Sequence, residues 1–386
     1  MRSHPLPFRS AATGIAVAGV ALGVAVGLAA ELAAQDIVVP AEYRGASGEE
    51  LYQVACAACH GADGTGAPPS TLGFEEPMPD FTMCSFATRE PDSDWVAVAH
   101  QGGPVRGFSP MMPAFGGLLD PDQLQRVQDH IRTFCGDGSW PRGELNFPRA
   151  MFTEKAYPED EAVWTVDVSP GDDTFIMNEI VYENRFGSRS QFEVVVPFGA
   201  RELTGNGSGG WQGGLGDVVL GVKHTLLHSS EAGSILSLAG EVKLPTGREE
   251  EGFGGGTTVF ETFLAYGQAL PADGFLHAQG ILEFPTGAGR ANELLARAAL
   301  GRTFTEGPWG RAWSPMIEVL SSRSLEDGGT WAWDIAPQFH VTVNTRQHVM
   351  ANVAVLLPLT DRDTRDPRIL FFVLWDWFDG GFLEGW

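Results

Sequence analysis

The sequence predicts a multidomain protein in which a small all-α domain is followed by an antiparallel up-and-down transmembrane β-barrel of about 10–12 strands. Three observations support this prediction. The spacing of apolar residues changes from a helical period to alternation near residue 172. All four cysteines (Cys56, Cys59, Cys84 and Cys135) lie in the first part of the chain. The composition, with 49 glycines, 11 tryptophans and only 19% charged residues, suits a β-rich protein with many turns.

The N-terminus has the features of an export signal. Arg2 and Arg9 give it a basic start, and the small, apolar stretch AATGIAVAGVALGVAVGLAAELAA follows. We therefore expect residues 1–34 to be a signal peptide that is cleaved near Ala30 to Gln35. An uncleaved membrane helix is the alternative, although the many alanines and glycines make the stretch only weakly hydrophobic. Either way, the rest of the chain leaves the cytoplasm.

Residues 36–140 are predicted to form a domain of short helices joined by loops rich in glycine and proline. Ser47 is the expected N-cap of the helix in ASGEELYQVACAACHG, and DSDWVAVAHQGG is a second helix. DPDQLQRVQDHIRTF is a third, with Asp120 as its N-cap and a proline at its first position. Residues 141–165 contain prolines and charges without periodicity, which indicates a linker or a strapped-down connection before a barrel of residues 166–386.

The second part of the chain alternates between apolar and polar residues, as in TWAWDIAPQFHVTV at residues 330–343. A soluble β-sandwich and a membrane barrel both show this pattern. The barrel is favoured because the segments are around ten residues long, whereas strands of soluble sheets usually have about five or six. Tryptophan and tyrosine also cluster near strand ends, as in an interfacial girdle. The inner face of such a barrel would carry the polar residues Glu241, Lys243, His277, Glu283, Glu293, Arg297 and Asp334.

The motif CAACH supplies the groups that attach a c-type haem. Cys56 and Cys59 can form two thioether bonds, and His60, next to the second sulfur, can be an axial ligand of the iron. The alternative is half of a zinc site, which would need a second C-x-x-C or histidine pair. Cys84 and Cys135 are too far apart in the sequence to supply that pair.

A second iron ligand is offered by MMPAF, about fifty residues after the haem motif: Met111 or Met112, with His100 and His130 as other candidates. Residues 45–137 resemble the class I cytochrome c family in CAACHG, MPAF and the closing helix DQLQRVQDHIRTF. In that family the ligand is the methionine directly before proline. The resemblance therefore implies one covalently attached haem c with Met112 opposite the histidine, and no open position for a substrate.

Cys84 and Cys135 remain after the haem motif is assigned. Two leftover thiols in an exported domain are expected to form a disulfide, because the compartments outside the cytoplasm are oxidising. This bond would fasten the loop FTMCSF to the end of the last helix.

The second part has a resemblance of its own, over about residues 170–380. The segments GGLGDVVLGVKHTLL, VKLPTG and ENRFGSRSQFEVVVPF are similar to those of outer-membrane β-barrels of the phenol-degradation and transporter kind. This similarity implies a fold and does not imply a substrate, since no catalytic set of residues stands out.

These features together predict a function in electron transfer. The net charge of −24 argues against a nucleic-acid partner. We expect a monohaem c-type cytochrome at the outer membrane, with redox proteins and membrane lipid as partners and no enzymatic activity of its own. The haem domain is expected in the periplasm; the alternative, that it plugs the barrel, resembles the cytochrome–porin fusions of iron-oxidising bacteria. A pore gated by the haem domain and a soluble periplasmic oxidoreductase are the rival functions.

Overall fold

The computed structural model describes residues 43–170, 174–203 and 210–377. The expected signal peptide, residues 1–34, lies outside the described residues, as do the first residues of the predicted helical domain. None of the helices in the described ranges is both long and apolar enough to cross a membrane.

The first domain is built from short α-helices. In the described part of the chain they are α1 (Gly48–Ala55), α2 (Ala57–His60), α3 (Pro69–Leu72), α4 (Cys84–Ala87), α5 (Asp92–Gln101) and α6 (Pro121–Phe134). Ser47 caps α1 and Asp120 caps α6, each through a capping box, and both helix starts are as predicted. Leu51 and Tyr52 of α1 are buried in one apolar core with Leu124 of α6.

The second domain is a sheet of antiparallel strands. The described strands are β1 (Glu161–Ser169), β2 (Phe175–Phe186), β3 (Ser190–Leu203), β4 (Gly210–Leu215), β5 (Val219–Ser229), β6 (Ser234–Lys243), β7 (Val259–Leu270), β8 (Gly274–Pro285), β9 (Glu293–Arg302), β10 (Phe304–Thr305), β11 (Ala312–Ser324), β12 (Trp331–Thr342), β13 (Val349–Pro358) and β14 (Arg368–Asp376). Most of them have 9 to 14 residues, which suits tilted strands that cross a bilayer.

The sheet closes on itself. Apart from the pairs β4–β5 and β9–β10, each strand pairs with the next along the chain, and β14 pairs with β1 from Glu161 opposite Asp376 to Val168 opposite Ile369. Strands β4 and β5 pair with successive halves of β3, and β10 continues β9 along β11, so each of these pairs forms one interrupted barrel strand. In the described residues the ring therefore has twelve strands, which confirms the predicted closed up-and-down barrel.

Side chains alternate across the barrel wall in the predicted sense. On β12, Trp333 and Phe339 are exposed on the outer surface, with 42% and 45% of their area accessible, while Gln338 and His340 are buried inside. A β-sandwich would bury the apolar set and expose the polar set instead. The outward apolar band and inward polar face are those of a barrel whose exterior contacts lipid.

The segment between the two domains differs from a simple linker. The barrel begins at Glu161, before the expected boundary at residue 166, so the predicted linker of residues 141–165 extends into β1. The chain that precedes β1 is hydrogen-bonded to inward-facing side chains of the barrel, as described below. We call residues 139–160 the plug.

Candidate functional site

The two cysteines and the histidine of CAACH lie on one turn of backbone. Cys56 is the residue between α1 and α2, and the amides of Cys59 and His60 both donate to its carbonyl oxygen, at 3.1 and 3.0 Å. Both thiols are free and only partly buried. The turn therefore presents two sulfurs and one imidazole side by side.

His60 is held in the form that binds a metal. Its ring stacks on Phe81, with the ring centroids 4.9 Å apart. Burial lowers the pKa of His60 to about 4, so the imidazole is neutral at physiological pH. Its Nδ1 atom is buried without a hydrogen-bond partner among the described residues. A neutral, oriented imidazole is what an axial ligand of iron requires.

Tyr52 supports this turn from inside the core. Its hydroxyl donates to the carbonyl of Gly61 at 2.8 Å and lies 3.3 Å from the carbonyl of His60. On its other side the Tyr52 ring packs against His130 and Phe134 of α6, at 5.3 and 5.2 Å between centroids. His130, a candidate ligand, is therefore engaged in packing between α1 and α6.

The two methionines lie in the loop before α6. The amide of Gly103 donates to the carbonyl of Met112 at 3.0 Å, and this bond fixes the loop against the end of α5. The side chain of Met112 is partly buried, whereas 51% of Met111 is exposed. His100, another candidate, packs on Trp309 of a barrel loop, with centroids 5.4 Å apart.

These residues fit a covalently attached haem. Cys56 and Cys59 offer two unpaired sulfurs, and His60 offers a buried imidazole with an unsatisfied nitrogen. Met112 offers the thioether that the resemblance assigns to the opposite face. No zinc-type set of cysteines and histidines gathers around CAACH in the described residues.

Cys84 and Cys135 are joined in a disulfide, with their Cα atoms 5.1 Å apart. The bond connects the start of α4 to the residue that follows α6. Since Phe81 lies just before α4, the disulfide also limits the movement of the segment that stacks on His60.

A partly buried ion-pair network connects the helical domain to the chain that enters the barrel. Asp92 at the start of α5 accepts hydrogen bonds from Arg132 and Arg142, both at 2.8 Å. Burial alone would raise the pKa of Asp92, but the two guanidinium groups outweigh it and hold that pKa below its usual value. Arg142 also pairs with Glu144 at 2.9 Å.

The helical domain is seated on one end of the barrel. Arg106 pairs with Asp94 of α5 at 2.6 Å and donates to the carbonyl of Trp309 in the β10–β11 loop at 2.7 Å. Arg89 pairs with Asp160 at 2.9 Å, at the point where the plug ends. These contacts leave no signal in the sequence, since Arg106 and Trp309 are 203 positions apart and no local pattern relates them.

The plug is bonded to inward-facing side chains from all around the barrel. Near the middle of the plug, the amide of Thr153 donates to Glu318 of β11 at 2.6 Å. Arg297 of β9 donates to the backbone carbonyl of Phe152 at 2.8 Å. Towards its end, Gln191 of β3 accepts from the amide of Glu159 at 2.6 Å. The lumen therefore supplies hydrogen-bond partners that an extended backbone otherwise lacks.

Two basic residues of the plug neutralise carboxylates of the wall. Arg149 bonds to Glu161 and Glu183, each at 2.7 Å. Lys155 pairs with Glu161 at 2.9 Å and with Glu159 of the plug itself at 2.7 Å. The sequence hints at this arrangement in one way: the predicted linker contains both acidic and basic residues and directly precedes the alternating segments.

The two ends of the barrel differ in loop length. At the end that carries the helical domain the described connections are short, over residues 187–189, 230–233, 271–273, 306–311 and 343–348. At the opposite end the connections over residues 244–258, 286–292 and 359–367 are longer, while the one over residues 325–330 is as short as those at the first end. Outer-membrane barrels have short turns on the periplasmic side and longer loops on the outside.

The first domain matches a known family. Residues 44–131 match the family model described as cytochrome c oxidase, cbb3-type, subunit III. This part of the chain is a cytochrome c domain, and that family implies haem c. No curated protein matches the chain.

The barrel is similar in outline to solved outer-membrane proteins. An outer-membrane channel from Pseudomonas putida F1 is 14% identical, with a TM-score of 0.44, over 60% of this chain and 100% of its own. The KdgM porin is 10% identical, with a TM-score of 0.37, over 56% of this chain and 99% of its own. The NanC porin is 7% identical over the same shares, with a TM-score of 0.41. These comparisons do not test the resemblance to the phenol-degradation and transporter kind.

Proposed function

We propose that this protein is a monohaem c-type cytochrome held at the outer membrane, where it passes single electrons between redox proteins. In this proposal Cys56 and Cys59 would attach the haem, and His60 and Met112 would bind its iron. When bound, haem c supplies a one-electron carrier. Because His60 and Met112 would both bind the iron, we expect electron transfer and no catalysis by the protein alone.

The surroundings of CAACH support the proposed ligand set. Phe81 stacks on His60, and Tyr52 holds the backbone that follows it. The oriented, neutral imidazole would favour ligation, and a thioether opposite it would favour the ferrous state. Of the two methionines, Met112 is the one with a partly buried side chain.

The proposed periplasmic location of the haem rests on one observation: the cytochrome domain lies at the end of the barrel that has the short turns. By the usual orientation of outer-membrane barrels, this end faces the periplasm. The apolar outer face of the barrel supports insertion in lipid. The polar plug supports the function of an anchor in preference to that of a transport pore. A pore gated by the haem domain would need an open lumen, whereas Arg149 and Lys155 tie the plug to the wall.

Cell fractionation followed by a haem-stained gel tests the proposal. We expect the stained band of the full chain in the outer-membrane fraction, released only by detergent. The double variant Cys56→Ser, Cys59→Ser should lose the stain but still migrate faster unboiled than boiled, as a folded barrel does. Recovery of the stained band in the soluble periplasm, or stain retained by the double variant, would contradict the proposal.

A further inference from the structure

The plug meets the barrel wall at a group of carboxylates. Oxygens of Glu154 in the plug, Glu183 of β2 and Glu193 of β3 all lie within 4.8 Å of one another. Glu154 and Glu183 alone could be counter-ions of Arg149, which lies 3.6 Å from the first and 2.7 Å from the second. These two residues would then need no further ligand.

Glu193 has no such explanation. Only 9% of it is exposed, and no hydrogen bond or ion pair joins its carboxylate to any residue that the structure describes. It projects towards Glu154 and Glu183, and β2–β3 pairing places it directly opposite Glu183. Like charges at directly opposed positions destabilise a sheet, and little water reaches this side chain to offset the repulsion.

The local charge balance is also negative. Arg149, Lys155 and Lys223 are the basic groups paired with this region, and Lys223 lies 3.9 Å from Glu183. They face five carboxylates, namely those of Glu154, Glu159, Glu161, Glu183 and Glu193. Two negative charges remain, which is the charge that one divalent cation would neutralise.

We infer that a hard divalent cation of the Ca²⁺, Mg²⁺ or Mn²⁺ class binds between Glu154, Glu183 and Glu193 and fastens the plug to the barrel wall. Carboxylate oxygens are the preferred ligands of these ions. With a Ca²⁺–oxygen distance of about 2.4 Å, ligand oxygens on opposite sides of the ion are about 4.8 Å apart. The remaining lone pairs of Glu183 stay available beside its bonds to Arg149 and Gln191.

A route to this site leads from the end of the barrel with the long loops. Glu241, Glu261, Glu283 and Glu293 lie directly opposite one another on β6 to β9 and face the lumen. Glu283 and Glu293 line a cavity of about 380 Å³ beneath the loop of residues 244–258. This row of carboxylates would attract cations and lead them towards the plug.

The test measures Mn²⁺ binding to the detergent-purified, haem-loaded full chain by the electron paramagnetic resonance signal of free Mn²⁺. We expect one Mn²⁺ per chain, displaced by Ca²⁺, with affinity lowered about tenfold or more in Glu193→Gln. Glu231→Gln, in the exposed β5–β6 turn, is the matched control and should bind as the wild type does. Should Glu193→Gln fail to fold, Glu154→Gln in the plug is measured instead.

A second readout separates a bound ion from protonated carboxyl groups. With an ion at the site, Ca²⁺ should raise the temperature at which the unboiled, fast-migrating form is lost, relative to EDTA, in the wild type and not in Glu193→Gln. Equal Mn²⁺ binding by the wild type and Glu193→Gln, or a Glu193→Gln barrel that is more stable in EDTA with no metal bound to either, would overturn the inference. Neither result would affect the proposed electron-transfer function.

Discussion

At the residue scale, the haem-attachment residues can be identified from neighbouring positions in the sequence, whereas the second iron ligand cannot. CAACH places three functional groups on one turn, because the amides of Cys59 and His60 both bond to Cys56. The choice between Met111 and Met112 depends on how the loop before α6 is held. The Gly103–Met112 bond and the partial burial of the Met112 side chain favour Met112, as does the proline that follows it.

Met112→Ala should abolish the weak sulfur-to-iron absorbance band near the red end of the ferric spectrum, because the thioether ligand is removed. The matched variant Met111→Ala should keep the band, since that side chain is half exposed. Loss of the band in Met111→Ala and its survival in Met112→Ala would reverse the assignment.

Asp92→Asn should destabilise the helical domain by roughly 1–3 kcal/mol, because Arg132 and Arg142 would lose a partly buried counter-ion. The pKa of Asp92 is lowered in the fold, so its contribution is complete above the unfolded value of about 4 and is lost as the pH falls through the lower folded value. The measurement is thermal unfolding of the full chain at several pH values, followed by helical circular dichroism.

The control for this experiment is Asp129→Asn on the exposed face of α6, which should leave unfolding unchanged. The difference between wild type and Asp92→Asn should shrink in acid. A difference that persists or grows as the pH falls would be inconsistent with a stabilising carboxylate at this position.

At the element scale, the inner and outer faces of each strand could be predicted from the sequence, because successive side chains of a strand point to opposite faces. The exposed Trp333 and buried Gln338 of β12 lie on the predicted faces. Helix starts were equally local, since Ser47 and Asp120 bond to amides three residues ahead. The plug could not be predicted, because its partners are distant: Thr153 bonds to Glu318, 165 residues along the chain.

The plug predicts a barrel that does not conduct. In planar lipid bilayers the wild-type chain should give no steady ion current, because residues 139–160 are bonded across the lumen. The double variant Arg149→Ala, Lys155→Ala should show intermittent openings, since Glu161 and Glu183 would lose their counter-ions. The control Arg248→Ala changes an exposed pair in a long loop and should remain closed. A steady current through the wild type would favour the transport function.

At the scale of the whole molecule, the two domains are connected in a way that neither domain predicts alone. The cytochrome domain is seated on the barrel through Arg106 and Arg89, and the chain then passes into the lumen before it becomes β1. Composition and periodicity revealed two domains, but contacts between separately folded surfaces leave no periodic signal. We propose a periplasmic haem on a closed anchor for two reasons. The plug is bonded inside the lumen, and the short turns lie at the same end of the barrel as the cytochrome domain.

The most direct test of this account is the accessibility of short epitopes inserted in the β13–β14 loop, residues 359–367, and in the β5–β6 turn, residues 230–233. Antibody should bind the loop epitope on intact cells and the turn epitope only after the outer membrane is permeabilised, with the haem-stained band in the same membrane fraction. Binding of the turn epitope on intact cells, with the loop epitope hidden, would place the cytochrome domain outside the cell and contradict the account.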